Sequence, residues 1–358
     1  MISATAGSRR RKRALSALAG VAAVTVALVG CSSATGGDSS GSEGGEVVWA
    51  DYGGPTNESR QIAYFDGFEE ETGIKVISAS LSDAIMAKML EGGEGDYDLI
   101  QVSSDSLIKY KDNIVALPDS ATKSDTLPEG IRDYAIGGFL IGIAQGWITD
   151  TYPDGGPQDW ADFFDTKKFP GKRAWPGSPG SYDASFELAL LADGVAQEDL
   201  YPLDLDRATA KLDSIRGDLV FYESYPEVQT LLSTGSASIA VSVTGQFTAL
   251  INQGLDVTVQ WNEAFLSPNF FVVPAKAKNP ENAFEIAEWL TDGERQAAFT
   301  ERTFYGPANE VTFDFLENST AKRLPGGPGN DGSIYFDEQF RADNLDELVG
   351  RYTDWLAG

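Results

Sequence analysis

Side chains able to exchange protons near neutrality are scarce in this chain. Of 358 residues none is histidine and one, Cys31, is cysteine. Without His, the commonest metal ligand and every Ser–His or Cys–His catalytic pair are missing. A single thiol excludes internal disulfides, CxxC redox pairs and cysteine-rich zinc sites. Carboxylates are abundant instead: 54 Asp and Glu stand against 27 Lys and Arg, a net charge of −27. Paired carboxylates carry out glycoside hydrolysis, but at this density pairs arise by chance and identify no site. The same charge repels phosphate backbones, which excludes nucleic acid as a partner. No P-loop occurs in the sequence. Much of conventional enzymology is therefore absent.

The elements that would position a site begin after an address segment. Arg9-Arg10-Arg11-Lys12-Arg13 form a basic block, and Ala14 to Gly30 is an uncharged run too short for a comfortable membrane span. The run ends in Leu28-Val29-Gly30-Cys31, which resembles a bacterial lipobox. Residues 1–30 are thus expected to be a signal peptide, with Cys31 becoming the lipidated N-terminus. The alternative is a transmembrane anchor with an incidental Cys. The arginines after Ser8 lack the Phe-Leu of a twin-arginine signal. Residues 31–46 are Gly/Ser-rich and read as a flexible tether. Two acyl chains on Cys31 would hold the membrane firmly, where one would hold it marginally. Residues 1–30 carry five bases and no acid, so processing leaves 22 bases against 54 acids, a net charge of −32.

Beyond the tether, 42% apolar content supports a real core, and the length suggests about two domains. Val47–Tyr52 reads as a buried strand. Ile62, Phe65 and Phe68 follow at helical spacing up to Thr72-Gly73, and Ile74–Ile77 is a strand again. Ile85, Met89 and Leu90 suggest a helix before Gly92-Gly93, and Asp98–Val102 another strand. Ala184, Leu188, Leu191 and Ala192 make a helix face ending at Gly194. Leu219–Tyr222, Ile239–Val243 and Val257–Trp261 read as strands of a second sheet, and Phe270–Pro274 as another strand. Asn279-Pro280 opens a helix with Ala283, Ile286, Ala287 and Leu290 on one stripe. This alternation predicts an α/β body with a largely parallel sheet.

Several stretches resemble the solute-binding proteins of bacterial ABC importers, specifically the spermidine/putrescine (polyamine) type of periplasmic binding protein. They are Phe68-Glu69-Glu70-Glu71-Thr72-Gly73-Ile74-Lys75-Val76, Tyr97-Asp98-Leu99-Ile100, and Trp160-Ala161-Asp162-Phe163-Phe164-Asp165 with Lys168-Phe169-Pro170-Gly171-Lys172-Arg173. Ala189-Leu190-Leu191-Ala192-Asp193-Gly194-Val195, Val273-Pro274-Ala275-Lys276-Ala277-Lys278-Asn279 and Tyr305-Gly306-Pro307-Ala308-Asn309 continue the series. Each is modestly specific; their shared order across residues 47–310 is the signal. The resemblance implies a type II periplasmic-binding-protein fold, two α/β lobes closing over a ligand. Lobe 1 would comprise 47–145 plus 268–320, and lobe 2 146–267 plus 321–358. Crossing strands are expected near Gly142–Trp147 and Ser267–Phe271, and C-terminal helices over Asp337–Leu356. The closed form would dock on a membrane permease. No cofactor and no enzymatic activity are implied, and the receptor is expected to be a monomer held to the membrane only by its lipid.

Carried over position by position, the resemblance gives a mixed cleft. Trp49 and Tyr52 stand in the first ligand loop, where aromatic faces stack on a methylene chain and attract ammonium; Trp49 reads equally well as strand core. Ser103 matches a serine of the second loop, Asp105 adds an acid where an aromatic is common, and Tyr305 fits a late aromatic position. Other positions depart. Ser181 and Ala184 replace expected acids, leaving Asp183 nearby. Val243 replaces an aromatic ahead of Thr244-Gly245. Asn269 stands where a carboxylate grips an amine, and can accept from ammonium without supplying charge. Glu223 after Phe221-Tyr222, Asp51 and Glu263 are the candidate replacements, each also readable as solvated surface. The solute expected is a polyamine or related amine. A γ-amino acid, thiamine, iron or a phosphonate are the alternatives within the receptor class, and an extracellular carboxylate hydrolase is the alternative outside it.

Overall fold

A computed structural model describes residues 44–358 apart from 94, 120, 122, 124–128, 179–183 and 331. The expected signal peptide, Cys31, most of the expected tether and Asp183 lie outside the described residues. Among the described residues, no helix is long and apolar enough to cross a membrane.

Ten strands join in one hydrogen-bonded sheet: β1 (Glu46–Asp51), β2 (Lys75–Ser80), β3 (Leu99–Ser103), β4 (Ile136–Ile148), β5 (Arg173–Pro176), β6 (Leu219–Tyr222), β7 (Ile239–Val243), β8 (Val257–Val272), β9 (Gly306–Pro307) and β10 (Ile334–Tyr335). Their order is β2-β1-β3-β8-β4-β7-β5-β6, with β9 beside β4 and β10 beside β8. The second sheet read from the sequence is therefore a continuation of the first. Its supposed separate strands Val257–Trp261 and Phe270–Pro274 are the two ends of the 16-residue β8. Both ends pair with β4, from Ile136 opposite Phe271 to Ile148 opposite Val257. The sequence split them because polar Asn262 and Glu263 interrupt the apolar run. There β8 advances from Phe265 to Gln260 while β4 advances only from Ile143 to Gln145, and Glu263 adopts a left-handed φ of 58°.

Local signals account for most other boundaries. The helical stretch from Gly54 to Thr72, which widens over Gln61–Phe65, stops at Gly73 with φ 73°. Helix Pro280–Trp289 has Asn279 as N-cap and Pro in its first turn, and buries Ala283, Ile286 and Ala287 as expected. The expected C-terminal helices are one helix, Glu338–Ala357, capped by the Asp337 side chain accepting from Phe340 N at 2.9 Å. β1 begins at Glu46, one residue before the start expected from composition.

The register makes a gap. β1, β2 and β3 run parallel, as do β5, β6 and β7. Through antiparallel pairing with β8 and β4 the two sets point at each other. β3 ends with Ser103 opposite Asn269, which in turn faces Phe139; β7 ends with Val243 opposite Ile143. Four residue steps along β4, from Phe139 to Ile143, thus separate the converging ends, about 13 Å at roughly 3.3 Å per strand residue. Gly138 takes the bulge beside Asn269, where an added Cβ would lie 2.2 Å from the Asn269 carbonyl oxygen.

Candidate functional site

Open α/β sheets bind small molecules outside the carboxyl ends of their strands. Here both parallel sets deliver those ends to the same stretch of β4 and β8. Thr244, just past β7, pins its end by donating its N–H to the Gly142 carbonyl at 2.8 Å. Over this stretch lies a cavity of about 310 Å³, walled by Phe139, Leu140, Pro268 and Phe270, with Ser104, Glu310, Tyr335 and Glu338 at its polar margins.

Beneath the ends of β1 and β3 runs a buried polar relay, whose members lie behind the cavity lining. Arg60 donates to Asp51 Oδ2 at 2.5 Å and to Gln101 Oε1 at 2.9 Å; Gln101 Nε2 donates to Asn269 Oδ1 at 3.0 Å. Asp51 also accepts from Trp49 Nε1 at 2.9 Å, Asn57 Nδ2 at 3.0 Å and Gly53 N at 2.7 Å. The rings of Trp49, Phe139, Phe271 and Phe299 stand 5.3–5.6 Å from the guanidinium carbon. Burial alone would raise the Asp51 carboxyl, but Arg60 and these hydrogen bonds outweigh it and hold the group below the usual carboxylate range. Burial likewise lowers Arg60, and Asp51 opposes that.

Past the end of β3, acids gather around a second buried guanidinium, and of them Glu338 lines the cavity. Asp105, in the first turn of helix Ser104–Tyr110, accepts from Ser103 Oγ and from Ser106 N, while its Oδ2 has no hydrogen-bond partner. Arg341 of the C-terminal helix donates to Glu187 Oε1 at 2.6 Å, and Tyr201 OH donates to the same oxygen at 3.1 Å. Burial works against the Arg341 charge, but Glu187 and Asp105 more than restore it. Glu338 is partly exposed as a residue, yet its Oε1 is enclosed, and the carboxyl's enclosure governs its titration. Burial first, and then Asp105, push its pKa up to about 8.

The residues singled out in the sequence divide. Trp49 is 0% exposed with its ring against Phe65 and Phe271, so it presents no face to a solute and positions Asp51 instead. Asp51 is buried and paired with Arg60 rather than solvated at the surface. Tyr222 is buried and donates its hydroxyl to the Val241 carbonyl at 3.1 Å, a packing role in the sheet. Asn269 is 0% exposed and its oxygen is engaged by Gln101. Ser103 ends β3, Asp105 lies in the first turn of the helix that follows it, and Thr244 follows β7; all three are buried. Tyr52 follows β1 and is 49% exposed. Tyr305 is half-buried and stacks on Phe139. Glu223 is exposed after β6, and Glu263 sits on the β8 irregularity, far along the strand from Asn269.

Sequence reasoning missed Arg60, Gln101, Glu187, Glu338 and Arg341. A signal existed for two of them. Arg60 falls four residues before Tyr64 and eight before Phe68, on the buried stripe of its helix. Arg341 lies likewise on the face of Leu348, Tyr352 and Trp355. A charge on an apolar stripe marks a buried partner.

Known proteins share the fold. AgtB from Agrobacterium tumefaciens R10, solved in complex with agropinic acid, is 28% identical with a TM-score of 0.72, over 88% of this chain and 99% of its own. The Atu4243–GABA receptor is 30% identical with a TM-score of 0.79, over 87% of this chain and 97% of its own. The γ-aminobutyric acid-binding protein of Pseudomonas aeruginosa PAO1 is 28% identical over 319 residues, 86% of this chain and 89% of that protein. The fold is the two-lobed fold of periplasmic binding proteins. None of the ligands named with these relatives is a polyamine. The sequence profile described as bacterial extracellular solute-binding protein matches residues 63–323, and the chain belongs to that family, whose members bind small molecules for ABC transporters.

Proposed function

We propose that this receptor captures a small zwitterionic amino acid whose amine is remote from its carboxylate, of the γ-aminobutyrate kind, for import through an ABC permease. The charge count at the gap carries this reading. Asp51 is neutralised by Arg60 and Glu187 by Arg341. Position 269 is an amide, and Glu338 holds its proton at neutral pH. Arg341 faces Asp105 as well as Glu187, so the three carboxylates Asp51, Glu187 and Asp105 stand against two guanidiniums, one negative charge in excess. One carboxylate matches one ammonium, and a polyamine brings two or more. The aromatic and proline walls of the cavity suit a short methylene chain between the two charged ends. Two relatives named for γ-aminobutyrate support the same class.

The lobes of this reading are 47–145 with 268–320 and 146–267 with 321–358, joined by β4 and β8, in a monomer tethered through lipidated Cys31. Intact-mass measurement on membrane-extracted protein tests the anchor: an unmodified Met1 end removes it. Calorimetric titration tests the ligand. γ-Aminobutyrate is expected to bind and to outcompete putrescine and spermidine. A solute at 100 times its dissociation constant adds about 2.7 kcal/mol of stability, so thermal melting gives an independent reading. Tenfold tighter binding of putrescine or spermidine would overturn the assignment.

A further inference from the structure

We infer that Arg60 determines the charge class of the solute without touching it, by holding Asp51 as an internal ion pair and orienting the Gln101–Asn269 amides. The inference rests on the γ-amino acid reading and names the residue that enforces it. A guanidinium carries donors only. The Gln101 group facing Arg60 must therefore be its oxygen, which turns its NH2 toward Asn269 and requires the Asn269 oxygen there. The observed contacts follow that polarity, Arg60 to Gln101 Oε1 at 2.9 Å and Gln101 Nε2 to Asn269 Oδ1 at 3.0 Å. Arg60 is 1% exposed within four aromatic rings, so no solvent competes for its donors.

Two acceptors that an ammonium would use are consumed in this way. Asp51 ends β1 beside the half-exposed Tyr52, and its carboxylate is spent on Arg60. Asn269 lies on β8 opposite the end of β3, and its oxygen is spent on Gln101. Removing the Arg60 charge returns a carboxylate to the β1 end and lets both amides turn, which makes the ends of β1 and β3 a second ammonium site.

γ-Aminobutyrate and putrescine are near-isosteres that differ by a carboxylate against an aminomethyl group, so their affinity ratio reads the charge preference directly. Titration of the full chain is expected to show Arg60→Met shifting that ratio at least tenfold toward putrescine, while Arg60→Lys keeps the wild-type ratio. Should Arg60→Met fail to fold, Gln101→Glu serves, because it leaves Arg60 paired. The carboxylate introduced by Gln101→Glu offers acceptors only, so Asn269 must turn its NH2 inward and its oxygen toward the gap, and the ratio again moves toward putrescine. A folded Arg60→Met or Gln101→Glu with the wild-type ratio overturns the inference. Absence of putrescine binding in every variant overturns it as well. A wild type that itself prefers putrescine sinks the ligand reading instead, since the inference concerns only the change on mutation.

Discussion

Tyr305 lies nearly flat on Phe139, with ring centroids 4.5 Å apart and planes 15° from parallel. Phe139 in turn stands 5.5 Å from the Arg60 guanidinium, so one β4 side chain couples the late loop to the buried ion pair. A half-buried tyrosine at this point serves packing and the gap together.

The two tyrosines picked out from the sequence are therefore expected to behave differently. Tyr305→Ala removes the stack and part of the cover over Arg60, a loss of about 1–3 kcal/mol given that the ring is only half-buried. Tyr52→Ala removes a half-exposed ring outside this packing, and surface truncations stay within roughly 0.5 kcal/mol. Paired denaturant unfolding and calorimetry separate the effects: both substitutions weaken solute binding, and only Tyr305→Ala lowers the midpoint. Equal midpoints would mean that Tyr305 contributes nothing to packing.

Asp51→Asn is expected to be strongly destabilising. It leaves Arg60 charged, wholly buried and without a counterion, a situation that costs about 3–5 kcal/mol. The double variant Asp51→Asn with Arg60→Met removes both charges and should recover most of the loss. Urea unfolding of the three proteins measures the coupling between the two sites. Additive losses would show that the pair does not act as a unit.

Much of the fold was legible because its signals are local. Apolar runs gave β6 and β7 residue for residue, and Gly73 and Asn279-Pro280 marked helix ends correctly. β8 was legible only at its ends, since its irregularity depends on β4 pairing that no local pattern encodes. The site was legible as strand-end positions but not as partnerships. Asp51, Arg60, Gln101 and Asn269 span 218 residues of chain from first to last. The parallel pairing of β1 with β3 and the antiparallel pairing of β3 with β8 bring the three strand residues together, and the helix after β1 adds Arg60. Trp49 shows the same limit, because an indole before a turn looks alike whether it faces a solute or a core.

Glu338 makes a prediction about pH. The groups facing it are Ser104 and Asp105 from helix Ser104–Tyr110, Glu187 from helix Ser185–Ala192, and Arg341 one turn along its own helix. Burial, followed by Asp105, raises its pKa from 4.5 to about 8, while Arg341 and Ser104 oppose the shift. The folded protein therefore holds this proton more tightly than the unfolded chain does. Its contribution to stability is fully present below the unfolded pKa of 4.5 and is lost as pH rises through about 8. Across that window a single group changes the unfolding free energy by at most about 1.4 kcal/mol per pH unit. Glu338→Gln keeps the shape and the neutral form, so its unfolding free energy should fall less steeply than that of the wild type as pH rises. Parallel profiles for the two proteins would show that Glu338 is already ionised when folded. The charge count at the gap would then be one unit more negative.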